Sequence, residues 1–213
     1  MAGCCDPRGC DRMFSARFAK RMAARYRKRG LTATAQAIVD LVTQDGVEGA
    51  TVLEVGGGVG EIQLELLRRG AASATNLELS PGYEPEAAAL IEDAGLGGRV
   101  HRRLIDIAMD PAAVEPADIV VLHRVVCCYP DVANLLGTAA DHARSQLVFS
   151  YPRRNAVSRA VVAAQNVLFR AQRRDFRTFA HAPDTMLAVL AEHGLQLRAA
   201  HSGRVWQVAA ASR

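Results

Sequence analysis

The chain has no run of about 18 apolar residues, so nothing in it is read as spanning a membrane. Its first residues lack an apolar stretch with a cleavage site and do not read as a secretory signal. Its five cysteines are odd in number, arranged as Cys4–Cys5, Cys127–Cys128 and Cys10, which excludes a regular disulfide framework. Cys4, Cys5 and Cys10 also lack the paired C-x₂-C spacing of a zinc site, so no metal is expected. No internal repeat or low-complexity linker interrupts the 213 residues. These absences leave a single-domain protein, expected in the cytoplasm, with enough chain for a proper core.

Charge is unevenly spread. Residues 1–30 hold nine Arg and Lys against two acids, and residues 153–177 hold seven Arg against one acid. Between them, residues 31–152 carry seven bases and seventeen acids. Two basic segments flanking an acidic middle point to an anionic partner. In the first segment Phe14, Phe18, Met22 and Tyr26 recur every four residues, which predicts one helix over 13–30 with an apolar stripe, ended by Gly30.

The middle alternates strand and helix patterns. "ATVLEV", "SATNLEL", "GRVHRRLIDI", "ADIVVLHRVV" and "SQLVFSY" read as strands, with helices between them. That rhythm predicts an α/β fold with a parallel sheet and helices on both faces. After an Arg-rich helix near 154–174, a further helix leads to "LQLRAAH" and "RVWQVAAA", separated only by "SGR". So short a link predicts a hairpin and an antiparallel last strand. Residues 1–44 are expected to form an N-terminal helical cap, and residues 45–213 the main domain with a basic helical insertion about 153–177.

The first strand runs into "EVGGGVGE", four glycines in five positions, where an open α/β sheet binds its ligand. A G-x-G-x-x-G dinucleotide fingerprint fails, because Glu61 or Gln63 stands where the third glycine is required. A phosphate loop fails too, because no Lys-Ser/Thr follows. Glu54 and Glu61 disfavour a phosphate-bearing ligand at this turn. The residues do fit E-x-G-x-G-x-G, as Glu54, Gly56, Gly58 and Gly60, and an acid ends each of the next two strands, Glu78 and Asp106.

On these residues the chain resembles the class I S-adenosylmethionine-dependent methyltransferases. The resemblance implies a Rossmann-like sheet of seven strands with the last antiparallel, and S-adenosylmethionine as cofactor. It implies that Glu54 and the three glycines hold the methionyl end, Glu78 the ribose hydroxyls, and Asp106 the adenine amino group, with Leu79 and Ile107 against the ring. A looser similarity reaches the magnesium-protoporphyrin O-methyltransferases, through "YRKRGLTAT", the Tyr129–Pro130 pair, "SYPRR" and "FRTFAHAP". The chain departs from that family at Cys127–Cys128, where the family has His before its Tyr-Pro pair.

The base-methylating motif N/D/S-P-P-Y/F/W is absent after the fourth strand, which disfavours amino groups of nucleic-acid bases. The expected reaction is methyl transfer to a small anionic molecule, at oxygen. Arg153, Arg154 and Tyr26 are candidate acceptor ligands, and His123 and Tyr129 candidate catalytic groups. RNA methylation, served by the basic segments, and a non-catalytic interaction role stay open as alternatives. The sequence does not set an oligomeric state.

Overall fold

The computed structural model describes residues 9–44 and 46–213. Seven strands form one sheet: β1 (Thr51–Val55), β2 (Ser73–Glu78), β3 (Val100–Leu104), β4 (Ala117–Leu122), β5 (Ala143–Pro152), β6 (Gln196–Ser202) and β7 (Trp206–Ser212). Their spatial order is β3-β2-β1-β4-β5-β7-β6. The pairs β1–β2, β1–β4, β2–β3 and β4–β5 are parallel, and β7 runs antiparallel to both neighbours. The short link forced this reversal: Gly203 N–H donates to Trp206 O at 2.9 Å and closes the β6–β7 hairpin.

Alternation along the strands divides the core between the two faces of the sheet. Val52, Ile119, Val121, Val148 and Val208 point to one face, where α3 (Ala33–Thr43), α4 (Glu61–Arg68) and α5 (Glu84–Asp93) supply Ile38, Leu64, Leu66 and Leu90. Leu53, Val55, Val120, Leu122 and Phe149 point to the other, against α6 (Val132–Asp141) and α8 (Pro183–Glu192) through Leu135, Leu136, Met186 and Leu190. Burying a Leu, Ile or Phe of this kind contributes about 1.5–3 kcal/mol. Local chemistry fixes the helix starts: Thr32 accepts the N–H of Ala35 at 3.1 Å, and Asp131 that of Asn134 at 3.1 Å.

One expectation needs correction. The helix predicted over 13–30 begins only at Ala16, as α2 (Ala16–Arg29), and a separate turn, α1 (Cys10–Met13), precedes it. Tertiary contacts claim the backbone at the break: Ser80 Oγ donates to Phe14 O at 3.0 Å, and the Phe14 ring packs on Tyr83, Phe18 and Phe176. Helix α3 packs on α4, β5 and β7, and Ala19, Ala23 and Tyr26 of α2 are buried in the same core cluster.

Candidate active site

β1 lies between β2 and β4, where the chain reverses its direction of winding, and the ends of these strands open into a cavity. The empty volume is about 1070 Å³, counting the space at its mouth. In-register pairing sets Glu54 beside Asn76 on β2 and Val121 on β4, with Glu78 two residues beyond Asn76. Gly56, Gly57, Gly58, Glu61, Leu79, Asp106 and Ile107 join Glu54 and Glu78 in the wall. The carboxylates expected at three neighbouring strand ends therefore share one cleft.

The turn after β1 is built for close approach. Gly56 and Gly58 have φ of +64° and +57°, a region side chains avoid, and a Cβ at Gly56 would lie 2.6 Å from Val125 Cγ2. Gly57 was the x of the motif, yet a Cβ there would run into the Asn76 amide and lie 2.8 Å from Glu54 Cδ. Arg102, not singled out from sequence, braces the turn from below. Its Nη2 donates to Gly58 O at 3.0 Å and pairs with Glu84 at 2.7 Å.

Glu54 is 2% exposed. Its Oε2 accepts from Gln63 N–H at 3.3 Å and Asn76 Nδ2 at 3.4 Å, while its Oε1 accepts nothing among the described residues. Burial, with the nearby Glu61 charge, pushes its pKa up to about 8. Beneath it both side-chain polar atoms of Gln63 and the Asn76 carbonyl oxygen are buried without a partner among the described residues. A carboxylate so placed is suited to a cation.

Glu78 accepts three backbone N–H groups: Leu79 at 2.8 Å, Ser80 at 3.2 Å and Gly58 at 2.9 Å. Burial raises its pKa and these bonds oppose the rise. Three of about four lone-pair directions are thus taken, which leaves room for one further donor. Asp106 accepts from Ala108 N–H at 3.1 Å and from the Tyr129 hydroxyl at 3.0 Å. Ile105, Ile107 and Leu79 make the wall apolar beside it.

The remaining candidates are sorted by their surroundings. His123 lines the cavity, but its Nδ1 bonds Ser150 Oγ at 3.0 Å, and burial with the neighbouring Arg124 pushes its pKa down to about 3. An imidazole with so little proton affinity is a poor general base. Tyr129 is 5% exposed and serves to hold Asp106. Tyr26 is not brought to the cavity. Its hydroxyl donates to Glu65 at 2.7 Å and accepts from Arg68 at 2.8 Å, because the stripe turns onto α4 one turn beyond Met22. Phe14, Phe18 and Met22 of that stripe do line the cavity. Arg153 and Arg154 are exposed and line none of it.

Sequence reasoning missed Arg124. It lines the cavity with a left-handed φ of 60°, fixed by its N–H to Ser150 Oγ at 2.9 Å. Its guanidinium lies over Trp206, 5.0 Å from the ring centroid, and hydrogen-bonds to nothing among the described residues. The signal was faint: a lone Arg just past a hydrophobic strand. Cys127 and Cys128 have sulfurs 3.5 Å apart, and Cys10, Cys127 and Cys128 are all free thiols. Their shared hydrogen bond and burial hold the Cys128 thiol well above its usual pKa. Cys4 and Cys5 lie outside the described residues. Among the described residues no three His, Cys, Asp or Glu side chains converge to hold a metal ion.

Strand order, glycine turn and carboxylate ring together define the class I methyltransferase architecture. A family profile described as methyltransferase domain matches residues 18–201, and the chain belongs to that family of S-adenosylmethionine-dependent enzymes. Among solved structures, magnesium protoporphyrin IX methyltransferase from Synechocystis PCC 6803, with bound S-adenosylhomocysteine, is similar at 21% identity and a TM-score of 0.69. That match covers 84% of this chain and 81% of the other. An O-methyltransferase family protein from Burkholderia thailandensis is similar at 20% identity and a TM-score of 0.72, over 97% of this chain and 63% of its own. Comparison with curated proteins produces no match.

Proposed function

We propose that this methyltransferase acts on an oxygen of a small anionic acceptor, with a carboxylate as the favoured group. When bound, S-adenosylmethionine supplies a methyl carried on a sulfonium, whose sulfur leaves as a neutral thioether. The residues present suit that ligand: Glu54 offers a free carboxylate oxygen to its ammonium, Glu78 one further acceptor site to the ribose, and Asp106 an acceptor beside an apolar wall. A pyrophosphate would meet Glu54, Glu61, Glu78 and Asp106 together, so a dinucleotide is a poor fit.

The observation that supports the acceptor reading is Arg124, a residue of the cavity wall whose guanidinium donors no other described residue takes. Guanidinium binds carboxylate through two parallel hydrogen bonds, which orients as well as attracts. A carboxylate is ionised at neutral pH and needs no base, in keeping with a His123 whose lowered proton affinity makes it a weak one. Catalysis is then chiefly positioning, with the acceptor oxygen held in line with the methyl group. Arg124 takes the clamp role that Arg153, Arg154 and Tyr26 were expected to fill.

The test is a panel of carboxylate, phenol and amine acceptors with methyl-labelled donor, read by mass. Carboxylates should be labelled, and Arg124→Gln should raise the acceptor KM by about tenfold or more while leaving S-adenosylhomocysteine affinity unchanged. Labelling of phenols or amines alone would overturn the reading. So would loss of cofactor affinity in Arg124→Gln, which would place the guanidinium on the donor. Labelling of RNA in preference to small molecules would favour the nucleic-acid alternative instead.

A further inference from the structure

Helix α7 (Ala156–Ala171) contributes nothing to the reaction described above, and none of its residues is buried. It touches the body of the protein along one line. Ser158, Val162, Asn166 and Phe169 are half-buried there. Asn166 exchanges two hydrogen bonds with the Thr178 backbone, at 2.8 and 2.9 Å, and Phe169 packs edge-on to Phe176 with centroids 5.7 Å apart. These contacts orient the helix, and orientation decides what its other face shows.

That outward face is apolar from end to end. At helical spacing it reads Val157, Ala160, Val161, Ala164, Val167, Leu168 and Ala171, all exposed. Val157 is 71% exposed, Val167 64% and Leu168 53%. Arg159 and Arg170 flank the stripe on one side, and Arg153, Arg154 and Arg173 stand at the ends of the helix. These five arginines are exposed and form no ion pair among the described residues. The whole segment 153–177 holds seven arginines and one acid.

We infer that α7 lies on an anionic lipid surface, its apolar face in the acyl boundary and its arginines on the headgroups. Amphipathic helices with a basic flank bind membranes in this way, through buried apolar area plus attraction to anionic lipid. Charge selects this occupant over a second copy of the chain, because a copy docked face to face would bring one set of unpaired arginines against another. The placement also bears on access to the active site. Phe169 packs on Phe176, and Phe176 on Phe14 at 5.4 Å, a residue of the cavity wall. The inference does not depend on the acceptor's identity.

The experiment is sedimentation of the full chain with vesicles of phosphatidylcholine alone or with 30% phosphatidylglycerol added. Binding is expected only with the anionic lipid, to weaken several-fold between 0.1 and 0.5 M salt, and to fall at least tenfold in Val161→Asp/Leu168→Asp. Neither side chain is buried, so the double variant should keep its circular dichroism and melting temperature. A milder variant, Arg159→Gln/Arg170→Gln, should lose several-fold on its own. No binding to anionic vesicles, or equal binding to both lipids, would overturn the inference. So would a wild-type dimer in analytical ultracentrifugation that the double aspartate variant dissolves, or binding of RNA through these arginines with none to vesicles.

Discussion

Glu54→Gln should stabilise the protein in the absence of ligand. The Glu54 carboxyl has a folded pKa pushed up to about 8 against 4.5 for the free group, by burial first and the Glu61 charge second. At pH 7 an unfolded chain has this group ionised, whereas the folded chain keeps it mostly protonated. A raised carboxyl pKa means that its contribution is intact below about pH 4.5 and is lost as pH climbs toward 8. Each pH unit from 4.5 to 7 costs about 1.4 kcal/mol, or about 3 kcal/mol in all. Gln removes that cost and keeps an oxygen for Gln63 N–H and Asn76. For a chain of this length the gain should appear as roughly 6–12 °C in melting temperature at pH 7. Urea unfolding of both proteins from pH 5 to 8 provides the assay, and the gap between them should widen with pH. A variant less stable than wild type at pH 7, or a gap that stays constant with pH, would refute the reasoning.

Three further outcomes follow from the same geometry. Glu78→Ala should weaken S-adenosylhomocysteine by about 1–3 kcal/mol in calorimetry, since it removes a ribose acceptor and frees the Gly58 N–H that shapes the turn. Gly57→Ala should cost about 1–3 kcal/mol in urea unfolding and abolish cofactor binding, because Asn76 and Glu54 are both buried and cannot make way for a Cβ. Tyr129→Phe leaves Asp106 with one hydrogen bond fewer. It should lower cofactor affinity by about 1 kcal/mol, roughly fivefold, with little change in melting temperature.

The parts of this molecule that were legible in the sequence are those set by local periodicity and by backbone chemistry. Strand-helix alternation pointed to the parallel sheet with helices on both faces, and the three-residue "SGR" link to the reversed last strand. The glycine turn was readable because only glycine tolerates φ near +60° where a neighbour also crowds the backbone. Glu78 and Asp106 were readable because strand ends in this topology meet. What failed was long-range. The break at Phe14–Ser15 depends on Ser80, 66 positions away along the chain. Tyr26 was misplaced because helical spacing fixes a stripe but not how far the partner surface extends. Arg153 and Arg154 carried the charge expected of a clamp, yet their place past the end of β5 leaves them exposed. Arg124 reaches the cavity wall through a backbone conformation that no spacing announces.

The cleft is claimed to hold a cationic, phosphate-free nucleoside against a buried carboxylate, and calorimetry with S-adenosylhomocysteine at pH 6 and pH 7 tests this most directly, with NAD as the comparison ligand. Pairing with an ammonium selects the ionised form of a group whose pKa lies at about 8, so affinity should rise about tenfold over that interval. The rise should vanish in Glu54→Gln, and NAD should not bind. A pH-independent affinity in the wild-type protein, or NAD bound as tightly as S-adenosylhomocysteine, would contradict the account.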